Sequence, residues 1–372
     1  LIDARTDEHI WADTYDRELS AVSIFAIQSE ISAAIADALE ANLSDIEEAS
    51  LEAVPTENLA ALEAHFEGRR LVEERTEISI LASIEEFRRA TTLDPAFAAA
   101  WAGLAEAWLE LPNWSTGSDP HRVRRQASSA AIQAVKLDPD LPDALAVLGW
   151  HLLLHNYDWQ GAENAFRQAL QTEPTNIKAL HWYSHQLSWQ GKHADAITAA
   201  RLAVNTDPLS ALMQINLSYI LMDAQQWDES FSIANQLLSN GSYPSLLANK
   251  WIGALRTQRP NVAADLLSQW ATATGRDVEA ATALGQLFVQ HQSEGETVEV
   301  DDDLLGRLQV ETEIAEIYAA LADADRTVMA LENANRSGTG FRSLLSMKIN
   351  PSYDFIRDDP RFIALLDEIG LQ

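Results

Sequence analysis

"AENAFRQALQTEP", residues 162–174, sets Ala162, Phe166 and Ala169 four and then three residues apart and closes on Pro174. That spacing puts the three side chains on one stripe of a helix. Pro174 has no backbone N–H and ends such a helix. The same offsets return three more times: Ser83, Phe87, Ala90 and Pro95; Ala127, Ala131, Ala134 and Pro139; Ala196, Ala200, Ala203 and Pro208. An acidic residue precedes each of these prolines, and the small stripe residues let a second helix come close.

A further helix precedes each stripe, with apolar residues at i, i+3 and i+7: Trp101, Leu104 and Trp108; Leu145, Leu148 and Leu152; Leu180, Tyr183 and Leu187. Small residues follow the middle members, namely Ala105, Gly149 and Ser184. Gly191 sits where a helix C-terminus favours a left-handed residue, and Asp158 where an N-cap is needed. Helix pairs, small positions and closing proline in one register resemble the tetratricopeptide repeat. Pro174 and Pro208 are 34 residues apart, Pro139 and Pro174 are 35, and Pro95 and Pro139 are 44, the excess lying in "PNWSTGSDPH". A fifth unit, 211–244, keeps Leu217, Leu221, Trp227, Ser230 and Ala234 without the proline. Divergent helix pairs are expected at 246–257, 261–273, 278–291, 311–322 and 325–336. The expected fold is an all-α solenoid whose first helices line a concave face. Trp101, Trp108, Trp159 and Trp227 fall at its packing positions.

The ends read differently. "LIDARTDEHIWADTYDREL" suggests a short β-hairpin, and the following helix has a stripe of Ile24, Ile27, Gln28, Ile31, Ile35 and Leu39. A lone hairpin is marginal in water, so it either pairs with strands outside this chain or packs on the solenoid. The start Leu1-Ile2-Asp3, without initiator Met or signal-peptide pattern, reads as a piece of something longer. These segments, with "PTENLAALEAHFEGRRLVEERT", "HWYSHQLSWQGK" and "INPSYDFIRDDPRFIALLDEIGL", resemble bacterial regulators that join a TolB-like α/β domain to tetratricopeptide repeats. The resemblance implies a nucleotide cyclase or winged-helix effector upstream, which the repeats regulate or scaffold; neither activity can be assigned to these residues. The expected organisation is a TolB-like remnant at 1–44, a linker at 45–57, five repeats at 58–244, divergent pairs at 245–337, and a tail with a capping helix at 338–372.

The 56 acidic and 26 basic residues give a formal charge of -30, which disfavours nucleic acid and anionic lipid and favours a basic partner. Arg122, Arg124 and Arg125 are the local exception, a phosphate grip or a solvated helix start. The absence of cysteine removes disulfides and thiolate chemistry and fits the cytosol. No apolar run reaches a membrane span; the longest is "ALAVLGWHLLL", 144–154. "EGETVEVDDD", 294–303, reads as a solvated loop with Asp303 capping the next helix, since it lacks calcium-loop spacing.

His181 and His185, four residues apart, have a spacing that zinc enzymes use, but an HExxH motif would need Glu where Trp182 stands. Only Asp143 and Asp223 are placed to complete a metal site. In the repeat frame the concave face instead collects Trp150 and Leu153, then Lys178, His181, His185 and Trp189, then Ile215, Tyr219 and Met222. We read these as a peptide-binding groove with aromatic anchors. His151 and His155 belong to another helix face. There is no phosphate loop, nucleophile elbow or dinucleotide fingerprint, and "RSGTG" at 336–340 lacks a phosphate-loop lysine. No catalytic residue, metal or cofactor is expected. The expected function is a non-catalytic scaffold for a basic peptide or protein; the alternative is cis regulation, with the groove occupied by the chain's own tail or an upstream domain. A histidine-based metal hydrolase is the remaining, enzymatic reading.

Overall fold

The computed structural model describes residues 2–3, 6–9, 11–14, 16–39, 53–115, 117–294, 298–310, 313–337 and 341–371. Residues 45–52 of the expected linker, 295–297 of the acidic loop and 338–340 of "RSGTG" lie outside them. Among the described residues, strand structure is limited to β1 (Ile2–Asp3) and β2 (Glu8–His9), antiparallel with Ile2 opposite His9 and Asp3 opposite Glu8. The fold is all-α, and the expected hairpin amounts to this two-residue ladder among the described residues.

The chain divides into two compact units, Leu1–His151 with Gln171–Pro174, and Leu152–Leu170 with Thr175–Gln372. In the first, α1 (Ala21–Ala38) precedes the antiparallel pairs α2 (Leu59–Glu73) with α3 (Glu77–Leu93) and α4 (Ala98–Trp114) with α5 (Pro120–Leu137). Asn58 and Thr76 cap α2 and α3 with side-chain oxygens. Phe87, fully buried, lies across two glycines: a Cβ on Gly103 would come 2.3 Å from its ring and one on Gly68 2.9 Å. The closing prolines follow α3 and α5, as the stripes predict.

Helix α1 departs from its expected packing. Ala21, Ile24 and Phe25 join a core with Ala61, Leu62 and Phe97. Ile27, Ile31 and Ile35 are only half-buried, and Gln28 and Leu39 are exposed. The apolar periodicity is real, but Ala21 is the helix's fully buried residue. Ala21–Ala38 is also long and apolar enough, by length and composition, to cross a membrane, which amends the expectation that no segment is. Interspersed Ser, Gln and Glu hide this from a search for unbroken apolar runs. Arg122, one of the three arginines considered for phosphate, lies over the Trp108 ring at 5.3 Å, as does Arg88 at the same distance.

Helix α6 (Pro142–Asn156) and α7 (Trp159–Thr172) each contribute to both units. The second unit continues with α8 (Ile177–Trp189), α9 (His193–Thr206), α10 (Ala211–Asp223), α11 (Trp227–Asn240), α12 (Pro244–Arg256), α13 (Pro260–Thr274) and α14 (Val278–Glu294). Then come α15 (Asp302–Leu308), α16 (Ile314–Ala320) and α17 (Ala324–Ser337). Asp301, not Asp303, caps α15, its side chain accepting from the Asp303 amide. A backbone signature recurs on both sides of residue 245. Gly191 (φ 80°), Gln225 (59°), Gln258 (54°) and Ala322 (55°) are left-handed between the helices of a pair. The next amide in each case donates five residues back: Lys192 to Leu187, Gln226 to Leu221, Arg259 to Ala254 and Asp323 to Tyr318, at 2.8–3.0 Å. This Schellman-type closure turns these four pairs in the same way. Finally α18 (Phe341–Leu345), a 3-10 turn (Pro351–Ile356) and α19 (Pro360–Glu368) complete the unit.

Candidate functional site

The repeat frame assigns faces, and the face carried by α8, α10 and α12 is where the expected groove residues of the second unit converge. They do not line an open groove. Leu153, Trp189 and Met222 are at most 1% exposed and His185 is 8% exposed, while Lys178, His181, Ile215 and Tyr219 are half-buried. Trp150, in the first unit, is buried as well. The spacing of apolar residues indicates which way a side chain points, but not what lies on top of it.

In the second unit much of the cover is the chain's own C-terminal segment. Phe341 presents its ring at 74° to Trp189, with centroids 6.3 Å apart. The Arg342 guanidinium lies 4.0 Å from the centre of the Tyr219 ring and 3.4 Å from Asp223 Oδ1. Asn350 donates through Nδ2 to Glu316 Oε1 at 2.6 Å. At the far end Trp159 Nε1 donates to the Ile369 carbonyl at 2.6 Å. Beside it the Tyr157 hydroxyl donates to Asn335 Oδ1, and Asn335 Nδ2 donates to Glu368 Oε1. Between these anchors Leu344, Leu345, Met347, Tyr353, Ile356, Phe362, Leu365 and Ile369 are all at most 3% exposed.

Beneath the segment sits a buried ionic cluster. Arg256 and Glu316, each with a side chain 5% exposed, pair at 2.5 Å, and Arg256 lies 3.9 Å from Asp223. Ser188 Oγ donates to Asp223 Oδ2 at 3.2 Å. Burial works against the charge on Arg256, but Glu316 and Asp223 more than offset it and hold its pKa above the ordinary value. Asp223, weighed above as a metal ligand, instead accepts from Ser188 and faces two guanidiniums. The rings of His181 and His185 are 5.4 Å apart, and His185 stacks on Trp189 at 5.2 Å. Among the described residues, no group of three or more His, Asp or Glu is placed to hold a metal ion. Arg256, Glu316, Arg342 and Asn350 follow no helical period or motif that marks them in the sequence, apart from Asn350 standing as an N-cap before Pro351.

Two buried histidines give a pH dependence with a definite sign. His151, in the first unit, has its pKa pushed down to about 4, first by burial and then by Arg124. His185 is held well below its ordinary value by burial, then by His181 and Arg342. The unfolded chain takes up these protons near about pH 6.5, and the fold does not. Their contribution is therefore intact above about pH 6.5 and falls with pH below it, by up to about 1.4 kcal/mol per pH unit for each histidine. Urea midpoints followed from neutral to mildly acidic pH should drop, and the His185→Gln variant should show a flatter fall. An equal slope in wild type and variant would remove His185 from this account.

No protein-family model matches the chain. A protein of Rhizobium meliloti (strain 1021) described as "Putative adenylate cyclase 3" is 30% identical over 143 residues, 38% of this chain and 24% of that protein. The transcriptional regulator HilA of Salmonella typhimurium is 22% identical over 175 residues, 47% of this chain and 31% of HilA. The chain thus spans about a quarter to a third of the length of these relatives. Among solved structures, the APC/C hetero-tetramer Cut9–Hcn1 overlaps at a TM-score of 0.46 and 16% identity, over 70% of this chain and 52% of that one. YrrB, described as a TPR protein with an unusual peptide-binding site, overlaps at 0.30 and 13%, over 53% of this chain and 92% of its own.

Proposed function

We propose that this chain, whose paired helices are tetratricopeptide repeats, is a non-catalytic protein-interaction module that holds a peptide or protein segment on the face of α8, α10 and α12. One observation carries the reading: that face already holds a stretch of polypeptide, beginning at Phe341 and Arg342, through an aromatic contact and a guanidinium. Trp189, Tyr219 and Asp223 are the groups that make the face adhesive. Lys178, His181 and Ile215, half-buried, form its accessible edge. A net charge of -30 selects a basic partner and speeds its approach.

A second reading is cis regulation of an upstream effector. It is favoured by the names of the two relatives, an adenylate cyclase and a transcriptional regulator, which are the two effector classes that the resemblance implies. In that reading residues 1–44 are the closing piece of a TolB-like domain, and the site of action is cytoplasmic. Arrays of peptides graded in net charge test the first reading. Retention of basic peptides, weakening as salt is raised, is the expected result. Binding indifferent to charge and salt, or no binding at all, contradicts it.

A further inference from the structure

We infer that the segment this module takes in trans carries an aromatic residue followed directly by an arginine, and that it docks by displacing Phe341 and Arg342 from Trp189, Tyr219 and Asp223. This rests on the peptide-binding reading above and gives its partner a chemistry.

The socket and its occupant differ in how firmly they are held. Trp189 is 0% exposed and stacked on His185. The Tyr219 ring is fixed by its hydroxyl, which donates to the Ser245 carbonyl at 3.0 Å. Asp223, 4% exposed, is oriented by Ser188 and Arg256. These groups are each held by partners other than Phe341 and Arg342, so the socket is preorganised. The occupying pair is half-buried and begins the segment, whereas Leu344 and Leu345 just beyond it are at most 2% exposed. The pair can therefore leave without unseating the rest of the segment.

Its fit also leaves room for a better ligand. Arg342 stands 3.4 Å from Asp223, longer than the distances near 2.8 Å of a well-formed guanidinium–carboxylate pair. Met222, Ala248, Ile252 and Glu313 line an adjoining cleft that reaches Arg342. Glu316 neutralises Arg256, so Asp223 retains charge for a second guanidinium. Arginine is favoured over lysine because a planar guanidinium stacks on Tyr219 while reaching the carboxylate.

The test uses the full 372-residue chain carrying Phe341→Ala and Arg342→Ala, with far-UV circular dichroism as the check on folding. The probe is a labelled peptide of residues 337–349, read by fluorescence anisotropy. The double variant should bind it about tenfold or more tighter than wild type does, and a lysine in place of the peptide's arginine should weaken binding about tenfold. Adding Tyr219→Leu to the double variant should abolish the gain. If the double variant does not fold, Arg342→Lys replaces it, and the arginine peptide should again bind more tightly than to wild type. A folded variant that gains nothing, or that binds lysine and arginine peptides alike, overturns the inference. If basic peptides without the pair bind equally well, the pair is wrong while the module reading survives; if no peptide binds, both fail. Preference for the intact wild-type chain over the free peptide would assign the socket to a second copy and overturn a separate partner.

Discussion

A chain ended after Ser337 should unfold its second unit at a much lower urea concentration than the full chain, while the first unit's transition stays in place. The lost segment buries Leu344, Leu345, Met347, Tyr353, Ile356, Phe362, Leu365 and Ile369. Each such side chain contributes about 1.5–3 kcal/mol of apolar burial, set against the cost of ordering the segment. The larger effect falls on the helices left behind. Trp189 loses Phe341, Trp159 loses the Ile369 carbonyl, and Glu316 loses Asn350. A loss of at least about 3 kcal/mol is expected from exposing these groups together. Tryptophan fluorescence during urea unfolding measures it, and an unchanged midpoint would mean that the segment is an appendage.

Glu316→Ala should be nearly as costly on its own. It leaves Arg256 buried with only the more distant Asp223, and removing one partner of a buried ion pair costs about 3–5 kcal/mol. The combined variant Arg256→Met with Glu316→Leu should recover most of that loss, because the charges leave together and the volume is kept. Glu85→Ala is the contrast. Its pairing with Arg88 is a solvated i,i+3 contact with Glu85 69% exposed, and its loss should move the urea midpoint by less than about 0.5 kcal/mol. Equal effects at Glu316 and Glu85 would contradict the role given to the buried cluster.

The sequence was legible where its signals are local. The stripes ending at Pro95, Pro139, Pro174 and Pro208 mark α3, α5, α7 and α9, and Gly191 marks a left-handed turn because glycine adopts it without strain. The same turn at Gln225 and Gln258 has no compositional cue, since tertiary packing imposes it on a residue that does not prefer it. That is why the register faded past 245 although the structure keeps it. Asp301 and Asp303 were equally able to cap α15, and spacing alone could not choose between them. The candidate face was legible in its anchors, Trp189 and Tyr219, but its cover was not. Arg256 and Glu316 are 60 residues apart, and Trp159 and Ile369 are 210 apart, contacts that no helical period encodes. The stripe of α1 shows the converse, with apolar spacing present and burial largely absent beyond its first turn.

Hydrogen exchange of the full chain, read peptide by peptide by mass spectrometry, tests most directly whether the face of α8, α10 and α12 is filled by the chain itself. Amides of α18, the 3-10 turn and α19 should exchange as slowly as those of α8 and α10, with Phe341 and Arg342 faster than Leu344 and Leu345. Exchange across residues 341–371 at the rate of an unstructured peptide, with α8 and α10 still protected, would contradict the account.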